Sequence, residues 1–359
     1  MENLEVNTLF WRSKRVLLTG HTGFKGSWLS LWLQQLGADV SGFSLEPSSD
    51  PNLFTSAGVV KGMESFRGDV RDLQAVTGVL ARQRPEIVIH MAAQSLVRKS
   101  YSEPVETYAT NVMGTVNLLE AARRSSDVRA MLIVTSDKCY ENREQLHGYR
   151  EIDPMGGFDP YSSSKGCAEL VTAAYRRSFF KAGTGVASAR AGNVIGGGDW
   201  ADDRLIPDIM RAFLKGAAVH IRNPYAVRPW QHVLDPLGGY LTLIERLWER
   251  GEEFSEGWNF GPGKADAWPV AQVATWLVQC WGGGAQWISD GEVHPHEAGL
   301  LTLDCEKACR RLDWRPALDV STALEWVVEW YRAFAQGDDM RRITLGQIER
   351  FQNLMDRAA

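Results

Sequence analysis

The sequence predicts an α/β protein: a doubly wound parallel sheet with a smaller mixed α/β lobe packed against it. Three observations lead there. Short apolar runs alternate with segments of helical spacing up to Arg190. The first run is followed at once by three glycines at Gly20, Gly23 and Gly26. Beyond Ile195 the alternation gives way to irregular segments rich in glycine, proline and tryptophan.

Residues 15–19 (RVLLT) form an apolar run that stops at Gly20, as a strand buried on both faces does. Residues 27–36 then place Trp28, Leu29, Leu31, Trp32 and Leu36 at helical spacing, and Gly37 ends the helix. A second strand is expected over 39–43, a third over 64–67, a helix over 73–80 and a fourth strand over 86–90 (EIVIH). Residues 106–124 read as one long helix, with Pro104 suited to its first turn or the position before it. Residues 130–135 (AMLIVT) make a fifth strand, Asp159-Pro160-Tyr161 opens a helix running to about 180, and 186–190 make a sixth strand. This rhythm implies parallel strands joined by right-handed crossovers, the Rossmann-type arrangement. The expected lobes are 1–194 and 195–359, with helices at 234–250 and 320–334 belonging to the small lobe or returning to the large one. No internal repeat or low-complexity linker separates them.

Composition removes several classes of function. At 44% hydrophobic and 23% charged, the chain is too apolar for disorder. A net charge of −5 argues against a nucleic-acid partner, which would need surplus Lys and Arg. No run is long and apolar enough for a membrane span, and the start lacks a secretory layout, so a cytoplasmic enzyme is expected. Cys139, Cys167, Cys280, Cys305 and Cys309 form no dense framework and read as reduced thiols. Cys305 and Cys309 lack the neighbours that would complete a tetrahedral set, and no metal is expected. The paired tryptophans Trp28/Trp32 and Trp326/Trp330 stand at helical spacing and read as core.

A strand, a glycine loop and a helix together make a phosphate cradle: glycines let the backbone approach, and the helix end offers free N–H groups. The cofactor expected is NAD. The second strand ends in Phe43-Ser44-Leu45-Glu46 with no arginine within several residues, so Glu46 or the Ser44 hydroxyl must serve the ribose. Asp69 is open to two readings, acceptor for the adenine amino group or N-cap of the next helix. Tyr161 and Lys165 stand four apart at a helix start and share one face. A nearby ammonium favours a phenolate, so the pKa of Tyr161 is expected to fall from its usual value of about 10.

Taken in order, Gly20-x-x-Gly23-x-x-Gly26, Asp69, His90-Met-Ala-Ala-Gln94, Asn111 and Tyr161-x-x-x-Lys165 resemble the extended short-chain dehydrogenase/reductase family over nearly the whole chain. The resemblance implies an NAD-dependent enzyme acting on a nucleotide-sugar. It implies cofactor contacts at Gly20, Thr22, Gly23, Phe24, Lys25, Gly26, Ser44, Asp69, Val70, Ala92 and Ala93, with Lys165 on the nicotinamide ribose. Asn111 reads as structural, and Gln94 as a substrate contact. Thr135-Ser136-Asp137-Lys138-Cys139-Tyr140 resembles the sugar-nucleotide 4,6-dehydratase branch, although an Asp-Lys pair stands where Asp-Glu is usual. With Arg190-Ala-Gly-Asn193 and Arg228-Pro-Trp-Gln-His232, that pair implies CDP-glucose as the nucleotide-sugar.

Water leaves C5 and C6 of a hexose readily only once C4 is a ketone, because the C5 proton is otherwise barely acidic. The roles implied are Tyr161 as C4 base, Ser136 on O4, Asp137 as acid for the C6 oxygen and Lys138 as C5 base, the last two being interchangeable at this point. Asn193 and Arg228 are expected on the diphosphate. Arg204 stands between two readings, phosphate ligand and solvent-facing residue, and Arg190 reads as structural. His294-Pro-His296-Glu297 resembles the substrate-proximal segment, with His296 as the contact. A homodimer or homotetramer is expected through the helices at 106–124 and 161–180. The rival readings are a 4-epimerase, a dehydratase of another nucleotide-sugar and a non-catalytic dinucleotide sensor; epimerisation requires no C5 base, and sensors on this fold usually lose the Tyr or the Lys, both present here as Tyr161 and Lys165.

Overall fold

A computed structural model describes residues 6–145, 147–180, 183–289 and 301–358. Seven parallel strands form the central sheet: β1 (Arg15–Thr19), β2 (Asp39–Ser44), β3 (Glu64–Arg67), β4 (Ile87–His90), β5 (Ala130–Val134), β6 (Gly185–Arg190) and β7 (Gly257–Asn259). Their order is β7-β6-β5-β4-β1-β2-β3. The order reverses between β4 and β1, and that is where a doubly wound sheet opens a crevice at its strand ends.

Alternate residues of each strand face opposite layers, and both layers are dry. Val16 and Leu18 of β1 join the large core with Trp28, Leu29 and Trp32 of α1 (Phe24–Gln35), whereas Leu17 packs with Val88 and Met131 on the other face. Strands buried on both faces read as continuous apolar runs, which is why the sequence announces them. α2 (Leu73–Gln83) and α3 (Gly114–Arg123) cover the second face. Trp28, Trp32 and Trp330 are fully buried in the first layer, as their spacing predicts.

The expected helix over 106–124 is three pieces. Pro104–Tyr108 is α-helical with proline in the first turn, Ala109–Met113 is a π-helical turn, and α3 follows. The widened turn carries Asn111, whose Oδ1 accepts from Gln94 N at 2.9 Å and whose Nδ2 donates to Gln94 O at 2.9 Å and Ser164 Oγ at 2.8 Å. Asn111 is therefore structural, tying the strand-end loop to the next long helix. That helix is α4 (Pro160–Phe179), capped by Asp159, whose side chain accepts from Ser162 N.

The segments after residue 195 do two things. β7, α5 (Leu234–Arg250) and α6 (Val320–Gln336) add to the sheet and its first face. Short two-stranded pairs, 194–195 with 231–232, 227–229 with 267–269 and 219–221 with 287–289, build walls above the strand ends.

One buried polar cluster joins these parts. Arg190 at the end of β6 donates to Glu169 of α4 at 2.8 Å and to the Tyr140 hydroxyl at 2.6 Å. Tyr140 donates in turn to Asn259 of β7 at 2.7 Å, and Ser188 and Thr135 both donate to Glu169. Burial pushes the Glu169 carboxyl up, but the Arg190 charge and these hydrogen bonds overcome it and hold the group below the usual range. Arg190 is structural, as expected. Removing one partner strands a buried charge, so Arg190→Met or Glu169→Gln should each lower unfolding free energy by about 3–5 kcal/mol, and the double replacement by less. Urea denaturation followed by tryptophan fluorescence measures all three.

Candidate active site

The strand ends β1, β2, β4, β5 and β6 open into one cavity of about 1200 Å³. It is larger than a single small-molecule site requires and has room for two ligands end to end. At one end lies the glycine loop. Gly20 has φ +76°, and a Cβ there would stand 2.6 Å from Ala92 N; a Cβ on Gly26 would stand 2.1 Å from Gly20 O. Only glycine lets the loop close on the sheet at these positions. Gly23 caps α1 with no side-chain hydrogen bond, so the helix N–H groups are left to a ligand's phosphates.

Thr22, Phe24, Lys25, Ser44, Asp69, Val70, Ala92 and Ala93 line the same end of the cavity. Thr22 Oγ1 and Ser44 Oγ are 2.8 Å apart and form the floor. The N-cap reading of Asp69 is corrected: Asp72 caps α2 by accepting from Gln74 N and Ala75 N. Asp69 instead accepts from Arg71 N at 2.9 Å and Arg71 Nε at 2.8 Å, which holds its carboxyl below the usual range while it faces the cavity. These residues fit a dinucleotide: a backbone cradle for the diphosphate at one strand end and a carboxylate over the crevice.

The sequence motifs meet at the centre. Ser136, Asp137 and Lys138 form the turn leaving β5, and Tyr161 and Lys165 come from the first turns of α4; all five line the cavity. Asp137 is 3% exposed and accepts from Ser136 Oγ at 2.9 Å. Its carboxyl packs on Gly192, where a Cβ would stand 1.8 Å from Oδ2, so the glycine in Arg190-Ala-Gly-Asn193 makes room for the acid. Lys165 Nζ points to Val134 O at 3.5 Å, and burial lowers its pKa to about 8 against the opposing charge of Glu169. Lys25 reaches the same centre. Burial, then Arg204 and Lys165, lower its pKa to about 7, with Asp137 opposing.

Tyr161 departs from expectation. Burial raises its phenol to about 12, the charges of Asp137 and Asp159 add to this, and the hydrogen bond with Ser136 and the charge of Arg204 pull it down. The reason is that i, i+4 spacing fixes a shared face but says nothing about desolvation, which dominates in a site this deep.

At the far end, Asn193, Arg204 and Arg228 line the cavity. Asn193 adopts φ +49°, a left-handed backbone held by Gln231, whose Nε2 donates to Gly192 O at 3.0 Å. Arg204 donates to Asp199 at 3.0 Å and to Ser95 Oγ at 3.0 Å, so it faces the cavity and the solvent-facing reading is corrected. Gln94 is also corrected. Its side chain donates to Thr107 Oγ1 at 2.9 Å and Leu96 O at 3.1 Å and accepts from Leu96 N at 2.6 Å, closing its own turn away from the cavity. His296 lies outside the described residues.

Arg98, Asp203 and Arg222 at the cavity mouth were not singled out from the sequence; Asp203 pairs with Arg222 at 3.0 Å and Arg98 at 3.6 Å across the mouth. Nothing local in their spacing signals it. Arg67 stands beside Ser44 through strand register and not along the chain, with its side chain paired to the cavity-lining Glu46. Among the described residues no group of His, Cys, Asp and Glu is arranged to hold a metal, and no helix is long and apolar enough to cross a membrane.

A family model described as GDP-mannose 4,6 dehydratase matches residues 17–326. The CDP-glucose 4,6-dehydratase of Salmonella typhimurium is 55% identical over 337 residues, covering 92% of this chain and 94% of that protein. The dTDP-glucose 4,6-dehydratase 1 of Escherichia coli is 24% identical, covering 88% of this chain and 92% of that protein. The crystal structure of the dTDP-glucose 4,6-dehydratase of Bacillus anthracis in complex with NAD is similar with a TM-score of 0.75. It is 22% identical and covers 92% of this chain and all of that one.

Removing Arg204 removes a cation that lowers the Tyr161 pKa. Arg204→Gln should therefore move the ascending limb of the kcat/KM pH profile to higher pH. A raised KM with an unmoved limb would assign Arg204 to substrate binding alone.

Proposed function

Because the chain belongs to the GDP-mannose 4,6-dehydratase family, we propose that it converts CDP-glucose to CDP-4-keto-6-deoxyglucose as an NAD-dependent hydro-lyase. The observation that carries the chemistry is the meeting of Ser136, Asp137 and Lys138 with Tyr161 and Lys165 in one cavity at the sheet's switch point. The nucleobase rests on the 55% identical relative.

Gly20, Thr22, Gly23 and Gly26 hold the cofactor's diphosphate in this reading, and Lys165 holds its inner ribose. NAD supplies, when bound, a hydride acceptor for C4 and the same hydride for C6, so turnover is redox-neutral. Tyr161 takes the C4 hydroxyl proton. Its pKa near 12 must fall for that, and the hydrogen bond with Ser136 and the charge of Arg204 act in that direction. Ser136 holds O4, Lys138 removes the C5 proton once C4 is a ketone, Asp137 delivers a proton to the departing C6 oxygen, and Lys138 returns its proton to C5 when C6 takes the hydride. Asn193, Arg204 and Arg228 take the nucleotide diphosphate. A 4-epimerase has no use for the Asp137–Lys138 pair, which favours elimination.

We also infer a homodimer or homotetramer. Val105 of the Pro104–Tyr108 helix, Met113 of the π turn, and Leu170 and Phe179 of α4 are at least half exposed, and α4 packs beside the Pro104–Tyr108 helix.

Incubation with CDP-, dTDP-, GDP- and UDP-glucose and GDP-mannose, without added NAD, should yield a 4-keto-6-deoxy product from CDP-glucose. Product from dTDP-glucose alone would refute the cytidine assignment, and no deoxy product from any donor would refute dehydration. Tyr161→Phe should cost about 10²- to 10⁴-fold in turnover, the usual contribution of a general base. Light scattering at micromolar protein should give at least twice the chain mass, and a monomer would contradict the proposed assembly.

A further inference from the structure

In dinucleotide folds the end of the second strand selects the cofactor: an acid there holds the ribose 2′-hydroxyl of NAD, and a nearby arginine takes the 2′-phosphate of NADP. Here the strand ends in Ser44, whose Oγ is already engaged with Thr22 Oγ1 at 2.8 Å. The acid is missing from that place, and the arginine is present. Arg67 ends β3 in direct register with Ser44.

What occupies Arg67 is Glu46, two residues beyond the end of β2. Arg67 Nε donates to Glu46 Oε1 at 2.6 Å, Nη1 donates to Ser65 Oγ at 3.3 Å, and the guanidinium lies over the Phe54 ring, 5.2 Å from its centroid. Glu46 lines the cavity, as do Gly68 and Asp69 immediately after Arg67. The other arginine nearby, Arg71, is committed to both Asp69 and Glu106. Among the described residues Arg67 pairs with Glu46 alone, and the two side chains are 37% and 72% exposed. An ion pair this exposed holds weakly and exchanges readily. The field of Arg67 already reaches the glycine loop: after burial, it is the main influence that lowers the His21 pKa to about 4.

The geometry points to the Glu46–Arg67 pair as the device that selects NAD over NADP in this chain. Glu46 supplies the carboxylate that the strand end lacks, and it also keeps Arg67 from a 2′-phosphate. A phosphate brought there meets the Glu46 charge and must compete with Glu46 for the guanidinium fork. Without Glu46 the repulsion disappears and the fork is released for bidentate binding. The inference rests on reading the glycine-loop end of the cavity as the dinucleotide end.

The full-length protein is loaded with NADH, and NAD or NADP is titrated in while nicotinamide fluorescence reports displacement. Wild type should prefer NAD. Glu46→Ala should bind NADP about tenfold or more tighter and NAD more weakly, Arg67→Met should gain no NADP affinity, and the double variant should lose the gain. Loading with NADH shows that each variant is folded. An NAD-to-NADP ratio unchanged in Glu46→Ala, or the same gain in the double variant, overturns the proposal. Failure of wild type to load NADH at all overturns the reading of that end of the cavity, and the proposal with it.

Discussion

The buried pairing of Arg190 with Glu169 is the constraint that holds the reacting centre together. It ties the end of β6 to the third turn of α4, and through Thr135, Tyr140 and Asn259 it reaches β5 and β7. Both halves of the chemistry hang from it: Tyr161 and Lys165 precede Glu169 on one helix, and Ser136, Asp137 and Lys138 follow Thr135. A buried ion pair gains little over an apolar pair of the same shape, but it tolerates only one geometry. Here that geometry brings a helix start and a strand end to the same cavity.

The second constraint is closeness. The glycine loop approaches the backbone after β4 so tightly that a side chain on Gly20 has no room, and Gly26 packs on the loop's own carbonyl. The cofactor end of the cavity is thus built of backbone, whose N–H groups suit phosphate, and the centre is built of buried side chains. Burial sets the tone at the centre: it raises Tyr161 and lowers Lys165 and Lys25, in each case resisting charge.

Much of this was legible in the chain. Strands buried on both faces appear as apolar runs, glycines at a crevice appear at short fixed spacing, and i, i+4 pairs appear on a helix, since each is a local consequence of backbone geometry. Three departures from the spacing share one cause. Gln94 belongs to the strand-end segment but spends its side chain on its own turn; Asp69 yields its capping role to Asp72; the helix at 106–124 is widened by the π turn that carries Asn111. In each, the outcome depends on a hydrogen-bond partner that the spacing does not specify.

The sequence by itself determined the doubly wound sheet, the glycine loop and the five residues that meet in one cavity, because those features rest on periodicity and on residue types only one environment accommodates. Tertiary structure decided what crosses between elements: Arg67 arriving beside Ser44 from the next strand, Asp203 bridging Arg98 and Arg222 over the cavity mouth, and burial raising the phenol of Tyr161. Distance along the chain does not encode register between strands or depth beneath a surface, and cofactor selection and proton affinity depend on those two quantities.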